Sequence, residues 1–445
     1  MTFTKNKKYQ YLFFLIISIY SFFNGGNSNL LIQINFILIS CLFFLCLKQK
    51  NYNLHCKNFY EKNKNSIKLY VLFLIYLIFQ IIPFPIEFLK FLSLEKYEYL
   101  NKLNLNLTYS SISLSPSNTF FQFLNFLSLF ISLLILNMIF YTERHKYRFY
   151  LFLSIIGFLS SMFAVILYLN GNPDLLILEK SFYKSSSTGF FVNRTVFSIF
   201  LLFCLIASLE ILKLNKLEKY FKKNDTFFTK IYVRIFIIFI TIGIITTFSR
   251  IGNFLFLITI IIYFISNITS KNKNNSFRNI LILIILFDIL IIGFYFGGSQ
   301  IVDRFSLLNE EFNISNSENV NLSRYNTGLF ALTEIKNFLF FGYGSGGFET
   351  LFQIKYLNTS NSYVDHAHSD MVEFIGEFGL VGSLIFFSSI FKFFINRKSY
   401  NYKNLVLISY LIVILSFDFA LHIPIIQFFF LFFFILNNKN SIQLN

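Results

Sequence analysis

The chain has 445 residues, of which 55% are hydrophobic and only 13% are charged, and its formal net charge is +16. A soluble domain of this length carries a far larger charged fraction, and a chain with so little polar surface would not stay dissolved. The positive charges lie in short segments between apolar runs, which is the pattern of a membrane protein rather than of a nucleic-acid binder. The composition therefore predicts an all-α, polytopic integral membrane protein and excludes a soluble enzyme.

Apolar runs of roughly 15 to 25 residues, long enough to cross a hydrocarbon core as helices, recur along the whole chain. They predict about twelve spans in a single membrane domain covering residues 1–445. The first run follows Lys5, Lys7 and Lys8 but lacks a small-residue cleavage site, so we interpret it as a retained span. The predicted spans are 9–23, 30–47, 67–82, 119–141, 149–169, 193–212, 231–248, 251–267, 279–297, 371–395, 404–419 and 423–436.

The distribution of positive charge predicts the orientation of these spans. Most of the 38 lysines and arginines fall in alternate connecting segments, and every segment of that set is basic. Because cytoplasmic loops carry an excess of Lys and Arg, these segments are predicted to be cytoplasmic, with both termini on that side. The remaining segments would then face the opposite, outer side of the membrane.

One predicted outer segment, residues 298–370, is much longer than the others. Loops of this length are usually either functional or disordered. This loop contains Arg304, Arg324, the glycine-rich stretch Gly342–Gly347 and the pair His366 and His368. Any one of the arginines could have a purely structural role, such as pairing with a neighbouring acid. The combination makes the loop the first place to look for a functional site.

Several short motifs occur along the chain, beginning with Gln80–Pro85, which has the form Gln-x-x-Pro-x-Pro, and including His366-Ala367-His368. The others are Ser113–Pro116, Gly189–Arg194, Thr247–Arg250, Val302–Ser306, Gly342–Phe348, Glu377–Gly382, Asp418–Phe419 and Ile423–Pro424. In this order they resemble the motifs of the O-antigen ligase and polymerase superfamily of bacterial membrane glycosyltransferases. The chain differs from the family pattern at Ser369, where Asn is usual, and at Ile251, where Gly is common.

The resemblance implies transfer of a glycan from an undecaprenyl-diphosphate donor to an acceptor, at the periplasmic face of the bacterial inner membrane. Arg194 and Arg250 would stabilise the leaving diphosphate, because a guanidinium donates two hydrogen bonds to phosphate and stays charged. His368 would accept the proton of the acceptor hydroxyl. The residues assigned to substrate binding are Arg304, Arg324, His366, Glu377 and Asn193.

The acceptor stays open at this point. A lipid A core, as in lipopolysaccharide biosynthesis, is favoured over a growing glycan or a protein hydroxyl. From a different class, a flippase for lipid-linked sugars is the alternative, although transporters tend to contain internal repeats, which are not apparent here.

Neither a cofactor nor a metal is expected. The His-x-His pair at 366 and 368 has no clear third ligand in the sequence, so the enzyme is predicted to be metal-independent. The glycine stretch lacks the Gly-Lys-Ser/Thr ending of a phosphate-binding loop and is interpreted as a turn.

Overall fold

The computed structural model describes residues 2–103, 107–174, 183–213, 223–270, 275–291, 324–355, 364–395 and 401–438. Residues 292–297 of the span predicted at 279–297 lie outside the described residues, and the number of twelve spans stays a prediction. Each predicted span coincides with a helix over its described residues, which confirms the all-α membrane fold. These helices are α1 (Thr2–Phe22), α2 (Asn29–Leu47), α4 (Lys64–Ile81), α7 (Pro116–Ile139), α8 (Glu143–Leu169), α9 (Arg194–Lys213), α10 (Lys223–Thr246), α11 (Arg250–Thr269), α12 (Asn275–Ile291), α15 (Asp370–Ile395), α16 (Tyr402–Phe417) and α17 (Pro424–Asn438).

Eight of the described helices are long and apolar enough to cross a membrane, and α16 and α17 are shorter apolar helices. Additional short helices occupy the connecting segments. They are α3 (Lys50–Lys62), α5 (Ile86–Leu92), α6 (Leu94–Lys102), α13 (Arg324–Asn337) and α14 (Phe348–Lys355). A two-stranded antiparallel pair, β1 (Phe84–Pro85) and β2 (Tyr109–Ser110), places Phe84 opposite Ser110.

Helix α9 is the centre of the bundle, since every residue from Thr195 to Leu212 is buried. Its apolar residues continue around the whole helix, which is typical of a helix enclosed on all sides. Helices α8, α10, α11 and α17 pack against it. Small residues allow close approach, because a Cβ added at Gly157 would lie 2.4 Å from the Cβ of Cys204.

The end of the bundle predicted to be cytoplasmic contains a buried ionic cluster around Glu210, which is 2% exposed. The hydroxyls of Tyr263 and Tyr402 donate to Oε1 of Glu210 over 2.8 and 2.9 Å, and Lys403 pairs with its other oxygen. The ammonium of Lys213 lies 3.7 Å from the ring centre of Tyr402. These contacts join α9, α11 and α16 at the end opposite the predicted site.

The described part of the long outer loop is folded. Helices α13 and α14 share a small apolar core that is separate from the core of the bundle. Its buried members are Ala331, Phe338, Tyr343, Phe348, Leu351, Phe352, Val364 and Ala367. This loop core fixes the position of the glycine-rich stretch relative to the helix bundle. The assignment of residues 1–445 to a single domain stays a prediction.

Candidate functional site

Helix α15 is interrupted at Gly379, whose φ of 63° and ψ of −177° are accessible to glycine and to few other residues. The interruption frees backbone groups that the loop then binds. The amides of Tyr343 and Gly344 donate to the carbonyls of Gly376 and Glu377 over 3.0 and 3.1 Å. In return the amide of Leu380 donates to the carbonyl of Leu339 over 2.8 Å. The glycine-rich stretch is thus joined to α15 by backbone hydrogen bonds, which we call the backbone seam.

Side chains from α4 complete the backbone seam. Nε2 of Gln80 donates to the carbonyls of Phe341 and Glu377 over 2.8 and 2.9 Å. The hydroxyl of Tyr76 lies 2.6 Å from the carbonyl oxygen of Phe378. Gln80 is the first residue of the Gln80–Pro85 motif, at the end of the span predicted at 67–82. This motif therefore has a structural role that the sequence did not indicate.

The Ser113–Pro116 segment contacts the same glycine-rich stretch. The amide of Leu114 donates to the carbonyl of Tyr343 over 2.9 Å, and the hydroxyl of Thr119 donates to the carbonyl of Ser345 over 2.8 Å. The buried ammonium of Lys96 donates to the carbonyls of Ser111 over 2.7 Å and of Ser113 over 2.5 Å. Three of the predicted motifs therefore meet at one turn.

Beside this turn lies a buried group of histidines and carboxylates, which we call the histidine–carboxylate cluster. Asp370, Glu373 and Glu377 are three and four residues apart on one face of α15, and each is at most 1% exposed. His366 reaches Oε1 of Glu373 with its Nδ1 over 2.9 Å. His422, in the 3₁₀ turn Ala420–His422 before α17, pairs with Asp370 through its Nδ1.

Glu377 was predicted to bind substrate, but its carboxylate has partners within the protein. Its Oε1 accepts from the amide of Gly346 over 2.6 Å, and its Oε2 lies 3.4 Å from the hydroxyl of Ser345. His366 was also predicted to bind substrate. It stacks on Phe419 with ring centres 4.2 Å apart while it bonds to Glu373.

His368 differs from these residues because one of its nitrogens has no partner among the residues that the structure describes. This nitrogen, Nδ1, is buried, and the backbone of His368 has a positive φ of 56°. Burial of the ring and the nearby charge of Arg324 lower the pKa of His368 to about 4. The imidazole is therefore neutral at neutral pH and can accept a proton. Burial also lowers the pKa of His366, but the Glu373 carboxylate outweighs this effect and raises it.

Arg194 and Arg250 are the first residues of α9 and α11, and these two helix N-termini are adjacent. The hydroxyl of Ser249, which caps α11, donates to the hydroxyl of Thr195 over 3.1 Å. Asn193 caps α9, since its Oδ1 accepts from the amide of Thr195 over 2.7 Å. Two helix N-termini and two guanidinium groups make this a favourable location for an anion.

The segment before Arg194 and the segment after His422 lie against a common turn, Asn24–Gly26. A Cβ added at Gly25 would lie 2.7 Å from Ile423 and 3.1 Å from Phe191, so the turn contacts both segments. Ile423 follows His422, and Phe191 precedes Asn193 by two residues. Arg324 begins α13 and acts on His368, whereas Arg304 lies outside the described residues.

Sequence reasoning did not assign His422 or Asp370 to the site. Asp370 stands two residues after the histidine motif, and His422 stands two residues before Pro424. The available signal was the spacing of three acids at 370, 373 and 377, which places them on one helix face. Nothing in the sequence indicated that His422 would reach that face from 45 residues or more along the chain.

The chain is thus a polytopic α-helical membrane protein. Its histidine–carboxylate cluster and paired arginines form a polar site at one end of the bundle. The family model described as O-antigen ligase matches residues 235–387, which confirms the predicted resemblance to the O-antigen ligase superfamily over that segment. The matched segment runs from α10 into α15 and contains Arg250, Arg324 and His368. No curated protein matches the chain significantly.

Proposed function

We propose that this protein transfers a glycan from undecaprenyl diphosphate to an acceptor, with a lipid A core as the favoured acceptor. The observation that carries the proposal is His368. It is a neutral, partly buried imidazole whose Nδ1 bonds to no described residue, and it lies on the predicted outer loop within the segment that matches the family. Such a nitrogen can accept the hydrogen bond and then the proton of a hydroxyl nucleophile, and its lowered pKa makes it a weaker base than an unperturbed histidine.

In the proposed reaction the acceptor oxygen forms a bond to the anomeric carbon of the donor glycan. The bond from that carbon to the diphosphate oxygen breaks, and the lipid diphosphate leaves with the electron pair. His368 takes the proton of the acceptor hydroxyl. Arg194 and Arg250 stabilise the negative charge that develops on the diphosphate, supported by the N-termini of α9 and α11.

Arg324, Arg304 and Asn193 are proposed to position the donor or the acceptor in this reaction. The transfer chemistry itself requires no metal, since arginine supplies the positive charge at the leaving group. The proposed location is the inner membrane, with both termini in the cytoplasm and residues 298–370 in the periplasm. Membrane lipid surrounds the bundle, and no nucleic acid is involved.

Polymerisation of O-antigen or exopolysaccharide, and glycosylation of a protein hydroxyl, use the same donor chemistry and differ only in the acceptor. A flippase for lipid-linked sugars is the alternative from another class. A flippase needs no base at the reacting end, so an unbonded, neutral histidine there favours transfer.

The test uses purified protein with a lipid-linked glycan donor and separate acceptors, namely lipid A core, free glycan and a hydroxyl-containing peptide. We expect product with one acceptor and loss of product in His368→Ala. His55→Ala is the matched control. His55 lies in α3, which belongs to a connecting segment predicted to be cytoplasmic, on the side of the membrane opposite the proposed reaction. Movement of the donor between leaflets without product from any acceptor would overturn the proposal in favour of a flippase.

A further inference from the structure

The Nε2 atom of His422 has an unusual environment within the histidine–carboxylate cluster. His422 is 5% exposed, and its Nε2 has no short hydrogen bond to any residue that the structure describes. It forms long ion pairs with Oε1 of Glu373 and Oε2 of Glu377, both 3.5 Å away. A buried nitrogen held between two carboxylates at this distance requires an explanation.

A protonated His422 would account for the charge but fits the distances poorly. Hydrogen bonds from a charged donor to a carboxylate are about 2.7–2.9 Å long. By contrast, donor atoms bound about 2.0–2.2 Å from a tetrahedral zinc ion are separated from one another by about 3.3–3.6 Å. The two separations of 3.5 Å match the spacing of metal ligands rather than that of hydrogen-bonded atoms.

The other polar atoms of His422, Glu373 and Glu377, which do not face this Nε2, are hydrogen-bonded within the protein. Metal ligands are supported in the same way. His422 pairs through its Nδ1 with Asp370, whose other oxygen accepts from the amide of Leu421 over 2.8 Å. The remaining oxygen of Glu373 accepts from the amide of Ala367 over 2.8 Å, and that of Glu377 accepts from the amide of Gly346. A carboxylate that orients a histidine by its second nitrogen is the usual support of a metal ligand.

His366 supplies the third donor atom. Single ligand atoms of His366, Glu373 and His422 all lie within 4.8 Å of one another. The Nδ1 of His366 lies 2.9 Å from Oε1 of Glu373, so a modest rotation of its ring would bring it to ligand spacing. Among the described residues, Asp370, Glu373 and Glu377 form ion pairs with histidines and with no lysine or arginine. Three buried carboxylates supply the negative field that attracts a divalent cation.

We propose that His366, Glu373 and His422 bind a zinc ion, with Asp370 orienting His422 and the Glu377 carboxylate beside His422. Two imidazoles and a carboxylate form a ligand set that suits zinc. The ion would be structural and separate from the transfer chemistry at His368. It would fix two segments to α15, namely the His366-Ala367-His368 segment and the turn before α17.

The test is the metal content of the purified, full-length, tag-free protein in detergent, measured by elemental mass spectrometry after incubation with Zn²⁺ and removal of excess. We expect about one zinc per chain. Protein produced with Co²⁺ in place of Zn²⁺ should show the visible absorption of tetrahedral cobalt. The variant Asp370→Asn should weaken zinc binding roughly 10- to 100-fold, because it alters only the orienting residue.

His422→Ala and Glu373→Gln should abolish zinc binding, whereas Glu334→Gln should retain it. Glu334 is a matched control because it is a buried glutamate that pairs with Lys355 outside the cluster. The wild-type measurement decides the proposal even where a variant fails to fold. Wild-type protein that stays free of zinc and cobalt would overturn the proposal and leave a protonated His422 between the carboxylates.

Discussion

Replacement of Gly379 by alanine should test the backbone seam between α15 and the outer loop. A Cβ at this position would lie 2.4 Å from both the amide nitrogen of Gly342 and the carbonyl oxygen of Phe340. These are backbone atoms and have no side-chain rotamer by which to move away. The backbone itself, at φ 63° and ψ −177°, is strained for any residue with a Cβ.

The expected loss of stability follows from two contributions. Backbone strain of this kind costs about 1–3 kcal/mol. Separating the two chain segments would also break seam hydrogen bonds, such as Leu380 to Leu339 and Tyr343 to Gly376, each with a net value of about 1 kcal/mol. We therefore expect Gly379→Ala to lower the free energy of unfolding by about 3–5 kcal/mol.

Gly171→Ala is the matched control. Gly171 also has a positive φ, of 78°, but an added Cβ would meet no atom within 4 Å. Its replacement should cost only backbone strain, about 1–2 kcal/mol. The assay is the apparent unfolding temperature of each purified variant in the same detergent, read from the fraction that remains monodisperse after heating. Equal shifts for the two variants would refute the reasoning, because the contacts at Gly379 would then contribute nothing.

Three other predictions concern the proposed reaction and the orientation of the chain. Arg250→Ala should cost about 2–4 kcal/mol in transition-state stabilisation, measured as a lower kcat/KM, and Arg250→Lys should cost less. An unchanged kcat/KM in the alanine variant would contradict the role of Arg250 at the diphosphate. His368→Ala should reduce kcat by roughly 10²–10⁴-fold with donor binding preserved, whereas a rise in the acceptor KM alone would indicate positioning. Tags near Asn63 and Lys223 should report cytoplasm and one near Asn316 periplasm; a cytoplasmic tag at Asn316 would reverse the site assignment.

The helical framework could be predicted from the sequence because the membrane leaves the chain little choice. Apolar runs must satisfy their backbone groups internally, so hydropathy alone located the eight described helices that are long and apolar enough to cross a membrane. The boundaries differ where polar residues extend a helix beyond its apolar part. Helix α8 begins at Glu143 rather than near 149, since Thr142 caps it by accepting from the amide of His145.

The short helices of the connecting segments could not be placed in the same way. Helices α5 and α6 are only seven and nine residues long, too short for a clear apolar period. Helices α13 and α14 fold because Phe338, Phe348 and Phe352 share a core with each other. That core depends on contacts between distant residues, which the sequence of the loop does not reveal.

The interruption of α15 could not be predicted from the sequence, for a related reason. Gly376, Gly379 and Gly382 occur in an apolar run that predicts one continuous span, and glycine is frequent in membrane helices. The interruption at Gly379 is stable only because Gln80, Tyr76 and the loop amides bind the freed backbone groups. Such compensation involves segments about 300 residues away and is visible only in the fold.

The predicted site residues differ in whether their polar atoms already have partners in the folded chain. The carboxylate of Glu377 accepts from the glycine-rich stretch and pairs with His422, so it links the two. His366 likewise forms a hydrogen bond with Glu373. His368 has a buried nitrogen with no bond, next to the charge of Arg324. Leaving such a nitrogen unbonded is unfavourable unless a ligand completes it. His368 is therefore the residue at which a substrate hydroxyl is expected, and the cluster behind it is the support that holds it in place.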